Sequence, residues 1–304
     1  MSVVVGVHNG MPALRETLGN ILSQAGVELE LVVVDDGSTD GSGGLLEHYA
    51  ERDSRIRVVR QEHRGLTRAL IRGCALARGE YIARQDVSDV SLPGRLRTAL
   101  DYLATHEDIV FASCGVRVVG PGGELLFDVR QDEDALNRAL RTVDPAELTG
   151  PAAHGSVVFR RAAYEKVGGY RAEFYFAQDL DLWVRLAEVG DHAVVPQILY
   201  RIVVGPDSIG GRYRREQLAL KRLITESAHR RRGGLSDAAI LQQAAAVGPA
   251  ATVRGRRAAR SSAFYFIGTC LRRRSDQAAV EYFKRAIREN PLHLRAWWRL
   301  LSSR

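Results

Sequence analysis

The stretch Leu29–Ser38, LELVVVDDGS, decides the fold. Its apolar run has the length and β-branched content of a strand buried on both faces, as strands of a parallel sheet are. The run stops on two carboxylates and a Gly-Ser turn. The Ser/Thr/Asp/Gly cluster that follows is rich in helix N-cap residues, so a helix around Leu45–Arg52 is expected next. The same alternation extends in both directions. Upstream, Ser2–His8 reads as a strand ending in His-Asn-Gly-Met-Pro, a turn before a helical pattern that reaches about Gln24. Downstream, strands at Ile56–Val59 and Glu80–Arg84 flank a helix at Leu66–Ala77, and a further helix covers Leu92–Thr105. Repeated strand–helix pairs predict right-handed βαβ units, an α/β fold with a mostly parallel sheet flanked by helices.

Past residue 105 the pattern changes. Ile109–Val119 and Glu124–Phe127 read as a hairpin around Gly120-Pro121-Gly122-Gly123. A helix near Asp132–Arg141, a Pro/Gly-bounded loop to His154, a strand at Ser156–Phe159 and a helix opening near Gln178 follow. Beyond Gly211 only helices are expected: Arg212–Arg230, Asp237–Val247, Ala258–Leu271, Asp276–Glu289 and Leu292–Leu301. The last two resemble a single tetratricopeptide-like unit, which reads as a capping helical appendage because such arrays need several repeats. Trp297 and Trp298 are expected to pack within that pair.

Charge divides the chain at the same place. Up to Gly211 there are 22 Lys and Arg against 30 Asp and Glu; beyond it there are 21 against 6. Two units are therefore expected, residues 1–211 and a basic helical region 212–304. Apolar residues make up 45% of the chain and charged residues 26%, the balance of a soluble globular protein. No stretch approaches the roughly 20 apolar residues of a membrane span. The N-terminus reads as a strand and not as a signal peptide. Three scattered cysteines form neither a disulfide framework nor a metal spacing, and a reducing cytoplasm fits them.

In open α/β sheets ligands sit beyond the carboxyl ends of the strands. Asp35 and Asp36 fall at one such end, Asp86 and Asp89 at another. Two acidic clusters facing one crevice repel unless a cation or hydrogen-bond donors intervene, and carboxylate oxygens suit Mg²⁺ or Mn²⁺. Asp is also favoured at helix N-caps, and that reading is preferred for Asp40.

These residues carry a resemblance. LVVVDDGSTDGS, then HRGLTRALIRGCALARGEYIARQDVSDVSLPGRL, then HGSVVFRRAAYEKVGGYR, then AQDLDLWVRLAEVG are similar, in order and spacing, to the motifs of family 2 glycosyltransferases of the GT-A fold. The resemblance runs from about Val3 to Ile209. It implies a nucleoside-diphosphate sugar as donor, a glycan or lipid-linked glycan as acceptor, and inversion at the anomeric carbon. It implies nucleotide contacts from His8, Asn9, Asp35, Asp36, Thr67, Arg68 and Asp86. Metal contacts would come from Asp86, Ser88 and Asp89, and the catalytic base would be Asp179. Acceptor contacts would come from His154, Asp181 and Trp183, the last as a sugar platform. Ser88 stands where the family often has Asp, and Gln178 where it has Glu. A nucleotide-sugar-binding module of the same fold with little or no turnover is therefore the competing expectation.

Other classes fit less well. A dinucleotide-binding oxidoreductase needs Gly-x-Gly-x-x-Gly after its first strand, and GVHNGMP does not supply it. Nucleic acid is not expected as a partner, because the basic region carries no recognisable binding motif. Arg230–Arg232, Arg254–Arg260 and Arg272–Arg274 form a basic decoration that is either a solvated face or a dock for an anionic membrane, which would place the protein at the inner membrane face.

Overall fold

A computed structural model describes residues 1–206, 213–248 and 253–302. The expected boundary at Gly211/Arg212 lies outside the described residues. β1 (Ser2–Val7), β2 (Glu30–Asp36), β3 (Ile56–Gln61) and β4 (Tyr81–Arg84) are parallel and lie in the order β3-β2-β1-β4. Val7 pairs with Asp35, and Asp36 with Gln61, so the carboxyl ends share one edge. Alternation along these strands explains their continuous apolarity. Val3, Val5, Leu31 and Val33 pack against α1 (Leu14–Leu22) and α4 (Arg95–Thr105). Val4 and Val32 face the opposite way, onto Leu70 and Cys74 of α3 (Leu66–Leu76). With α2 (Ser42–Ala50) these helices follow the expected order.

The parallel strands are those expected, and the second half adds antiparallel pairs that make the whole sheet mixed. β6 (Ile109–Val119) and β7 (Leu125–Val129) form the expected antiparallel hairpin. β8 (Val158–Arg160) is antiparallel to both β4 and β6. β9 (Asp191–Val203) runs parallel to β6 and antiparallel to β5 (Val90–Ser91). Neither β5 nor β9 is legible in the sequence. β5 is too short to show a period, and β9 contains Pro196 and meets β6 through register shifts around Gly115. α5 (Glu133–Thr142) is capped by Asp132, whose Oδ1 accepts the Ala135 amide at 2.7 Å. α6 (Arg161–Lys166) and α7 (Gln178–Leu186) complete the first part.

The basic region is helical, as expected. α8 (Arg214–Arg232) and α9 (Ala238–Ala245) bury Leu220, Ile224 and Ala244 in the same core as α7. α10 (Val253–Arg273), α11 (Ala279–Glu289) and α12 (Leu294–Leu301) add Ile267 and Leu271, Phe283, and Ala296 respectively to a core with Val116, Val118 and Leu126 of the hairpin.

One buried cation knits the site edge of the sheet together. Arg95 is 1% exposed. Its guanidinium donates to the carbonyls of Arg84 (2.8 Å) and Gly155 (2.6 Å) and to Ser91 Oγ (2.7 Å), and it lies 4.9 Å over the Tyr200 ring. Replacing Arg95 with Met strands two buried carbonyls, each costing about 1–3 kcal/mol. The Arg95→Met variant is expected to lose at least about 2 kcal/mol by urea denaturation; a loss below about 1 kcal/mol would contradict this role.

Candidate active site

The carboxyl ends of β1, β2 and β4 and the start of α7 enclose a cavity of about 620 Å³, lined by His8, Asp36, Asp86, Asp89, His154 and Asp179 among others. Strand alternation separates the two β2 carboxylates. Asp36 turns into the cavity, while Asp35 turns away and accepts the Ser38 amide at 3.0 Å. Asp36 Oδ1 accepts Gln61 Nε2 (2.7 Å) and the Arg64 amide (2.8 Å); Oδ2 accepts the Gly65 amide (2.8 Å) and lies 2.9 Å from His63 Nδ1. This carboxylate therefore fixes the loop before α3. Gly65 is required there: its φ is +87°, and a Cβ would stand 2.7 Å from the Tyr175 ring. His63 stacks on His8 with ring centroids 3.8 Å apart.

The acidic floor is held from beneath. Arg84 is buried and pairs with Asp86, whose own side chain is 34% exposed. The Tyr200 hydroxyl donates to Asp89 Oδ2 at 3.1 Å and accepts the Asp86 amide at 3.3 Å. Burial pushes the Asp89 carboxyl up to about 8, and the charge of Asp86 adds to the shift. Ser88 is not brought to this floor. Its φ is +75°, it is exposed, and its amide donates to Thr17 Oγ1 at 3.1 Å, so it shapes the turn on the outer side.

Asp179 stands where this cavity meets a second one of about 480 Å³, lined by Gln131, Leu148, Trp183, Arg214, Gln217 and Lys221 among others. Ala177, in the left-handed region with φ +56°, turns the chain into α7 and aims its first turn at the junction. Burial raises the Asp179 carboxyl above its ordinary range, the Leu180 amide opposes this, and the Asp86 charge reinforces it. His154 lies 2.7 Å from the Tyr170 hydroxyl, and burial holds its imidazole neutral well below the usual histidine range.

Several expected contacts fall elsewhere. Trp183 borders the second cavity but is 1% exposed and stacks on Phe111 with ring centroids 5.4 Å apart, so it leaves almost no surface for a sugar platform. Asp181 is equally buried and is bound by Arg185 at 2.6 Å, an ion pair within the helix. Thr67 Oγ1 donates to the Phe174 carbonyl at 2.9 Å, which ties α3 to the loop before α7. Arg68 is exposed on the outer face of α3, with Arg64 and Arg72, away from the main cavity. Asn9 is exposed and braces the turn after β2, its Oδ1 accepting the Thr39 amide at 2.8 Å. Conversely, His63, Tyr175, Tyr200 and Gln217 belong to the site without having been singled out. His63 and Tyr175 come from loops and Tyr200 from a bulged strand, none with a periodic signal, while Gln217 lies on α8, where helical spacing alone does not show which face meets the site.

Comparison with known proteins places the chain in a family. Residues 2–168 match the family described as Glycosyl transferase family 2. The chain belongs to glycosyl transferase family 2. EpsE of Bacillus subtilis is 33% identical over 210 residues, 66% of this chain and 72% of that protein. WbnJ of Escherichia coli, an O-antigen biosynthesis glycosyltransferase, is 27% identical over 188 residues, 61% and 71% of the two chains. Among solved structures, a mannosyltransferase from Pyrobaculum calidifontis in complex with GDP-Man and Mn²⁺ superposes with a TM-score of 0.57 at 22% identity, covering 99% of this chain and 83% of that one. S. aureus TarS in complex with UDP-GlcNAc gives 0.52 at 16% identity over 95% and 88%. The mixed sheet with its flanking and C-terminal helices is thus a GT-A-like fold.

Proposed function

We propose that this family 2 glycosyltransferase moves a sugar from a nucleoside-diphosphate sugar to a hydroxyl of a glycan or lipid-linked acceptor, with inversion and with a divalent cation bound. The observation that carries the reading is the position of Asp179 at the junction of two cavities, one acidic and one not. The larger cavity suits the donor. Asp36, His8 and His63 lie at the strand ends where a nucleoside would rest, and Asp86 and Asp89 lie toward Asp179, where a pyrophosphate would reach. The GDP-Man and UDP-GlcNAc held by the two structural neighbours support this choice of ligand.

The donor set fits a hard cation. Asp86 and Asp89 present carboxylate oxygens to one cavity, the chemistry of Mg²⁺ or Mn²⁺ sites that share their ion with phosphates. The ion in the mannosyltransferase neighbour is Mn²⁺. A second possible set, His8, Asp36 and His63, brings its ligand atoms within 4.8 Å of one another. Each Asp36 oxygen already has two partners, from Gln61 at the end of β3 and from the loop of His63, Arg64 and Gly65, so the cation is assigned to Asp86 and Asp89. When bound, the ion supplies Lewis-acid stabilisation of the departing diphosphate.

The residues of the chain supply the rest. Asp179 accepts the proton of the acceptor hydroxyl as that oxygen attacks the anomeric carbon, and the nucleoside diphosphate leaves from the opposite face. The neutral His154, fixed by Tyr170, lines the donor cavity beside Asp179 and can bond a sugar hydroxyl. A base works only when ionised, so a carboxyl raised by burial loses activity as pH falls through its raised value. The acid limb of kcat/KM is expected above the ordinary carboxylate range of about 4. Asp179→Asn is expected to lower turnover about 10²–10⁴-fold with nucleotide affinity retained. Unchanged donor turnover in that variant would remove Asp179 as base. Turnover by the parent chain also separates the enzyme from the binding-only alternative.

A second reading concerns location. No helix among the described residues is long and apolar enough to cross a membrane. On α12, contrary to the packing expectation, Trp297 and Trp298 are 42% and 62% exposed, with Leu294 and Leu301 at 77% and 64%. Arg295 and Arg299 share the helix. Exposed Trp and Leu among arginines are the composition of a helix lying in an anionic lipid interface. Vesicles containing phosphatidylglycerol are expected to co-sediment the protein, and Trp297→Ala with Trp298→Ala to weaken this. Equal binding to neutral vesicles would contradict it.

A further inference from the structure

The second cavity carries chemistry that the donor reading does not use. Its far wall is one face of α8: Arg214, Gln217, Leu218 and Lys221 recur at helical spacing and all line it. Val129, Leu148 and Leu180 supply apolar surface opposite. Gln131 fixes the intervening loop, its Nε2 donating to the Gly150 carbonyl at 3.0 Å and its Oε1 accepting the Ala152 amide at 2.7 Å.

The two cavities differ in sign. Four aspartates line the donor cavity, and neither Lys nor Arg does among the described residues. The second cavity has one carboxylate, the shared Asp179, against Arg214 and Lys221. Two arginines near the other end of α8 are neutralised: Arg231 pairs with Glu188 at 2.7 Å and with Asp237 at 3.3 Å, and Arg232 with Glu188 at 3.4 Å. Arg214 and Lys221 have no such partner among the described residues. Arg214 also opens its helix, where the backbone already presents positive potential and a cation is disfavoured unless an anion faces it. Seven residues separate the two cations, about 10 Å along the axis, a span suited to an extended, multiply charged group.

We infer that the acceptor carries a phosphate or diphosphate beside its reacting sugar, and that Arg214 and Lys221 bind that group in the second cavity while Asp179 takes the proton at its mouth. This inference rests on the glycosyltransferase reading above. It assigns the chemical class of acceptor: a phosphorylated glycan or a sugar on a lipid phosphate, as opposed to a neutral saccharide. Arg214 and Lys221 are binding residues that set KM for the acceptor and leave the donor site untouched.

The test uses the full chain saturated with Mn²⁺ and whichever of UDP or GDP it binds, so that the donor cavity is filled. Binding of glucose 1-phosphate and of farnesyl diphosphate is measured by calorimetry, with methyl glucoside and farnesol as neutral counterparts. At least one phosphorylated probe is expected to bind ten times more tightly than its neutral counterpart. The Arg214→Ala/Lys221→Ala double variant should lose that preference at least tenfold while keeping its nucleotide affinity, and Lys221→Arg should restore most of it in the presence of Arg214. Preference for farnesyl diphosphate identifies a lipid-linked acceptor; preference for glucose 1-phosphate identifies a phosphorylated glycan. Binding of neither phosphorylated probe, equal binding of the neutral ones, or binding indifferent to the double variant overturns the inference. If no nucleoside diphosphate binds the parent chain, it is the donor reading that has failed.

Discussion

The architecture of the site depends on one buried guanidinium. Arg95 enters from the first turn of α4 and reaches the carbonyl that ends β4, the carbonyl of Gly155 and the hydroxyl of Ser91, with Tyr200 beneath it. These groups belong to segments far apart in sequence. Asp86 and Asp89 follow β4, His154 precedes Gly155, and Tyr200 holds Asp89 from β9. A charge so deeply buried needs partners, and both terminal nitrogens of Arg95 are engaged although its Nε is not. Satisfying it therefore fixes the spacing among the acidic floor, the histidine loop and the last strand.

Around that fixed point the molecule separates two electrostatic environments. The larger cavity concentrates carboxylates at the carboxyl edge of the parallel strands, and burial with the charge of Asp86 resists the ionisation of Asp89 and Asp179. Such a site gains by taking up a cation together with an anionic ligand. The second cavity, walled by α8, has the opposite balance. Asp179 belongs to both, which is the position a base needs if it is to deprotonate a group on one side while a bond breaks on the other. The basic helices are thus part of the site through α8, besides covering the hairpin through α10 and α11.

Much of this was legible in the sequence. LELVVVDDGS and the alternation around it gave the parallel strands, because a strand covered on both faces leaves an unbroken apolar run. Motif order points to the acidic clusters and to Asp179, and the structure brings Asp36, Asp86, Asp89 and Asp179 to one cavity. What was not legible has a common physical cause. β9 is bulged and carries Pro196, so its period is broken. Burial of Asp181 and Trp183 depends on which face of α7 meets Phe111 and Arg185, which spacing alone does not decide. Ser88 left the acidic floor because of a positive φ that no composition rule demands. The exposed tryptophans of α12 read as packing residues because helical spacing cannot show that the pair lacks a cover.

In the proposed reaction Asp86 and Asp89 join a divalent cation to a nucleoside diphosphate in the larger cavity. The most direct test is calorimetric titration of UDP and GDP into the full chain with Mn²⁺ and again with EDTA, repeated on Asp86→Asn. The account predicts that one nucleotide binds the parent chain at least tenfold more tightly with Mn²⁺, and that this gain disappears in the variant. No nucleotide binding, or an affinity that is the same with Mn²⁺ and with EDTA, would contradict it.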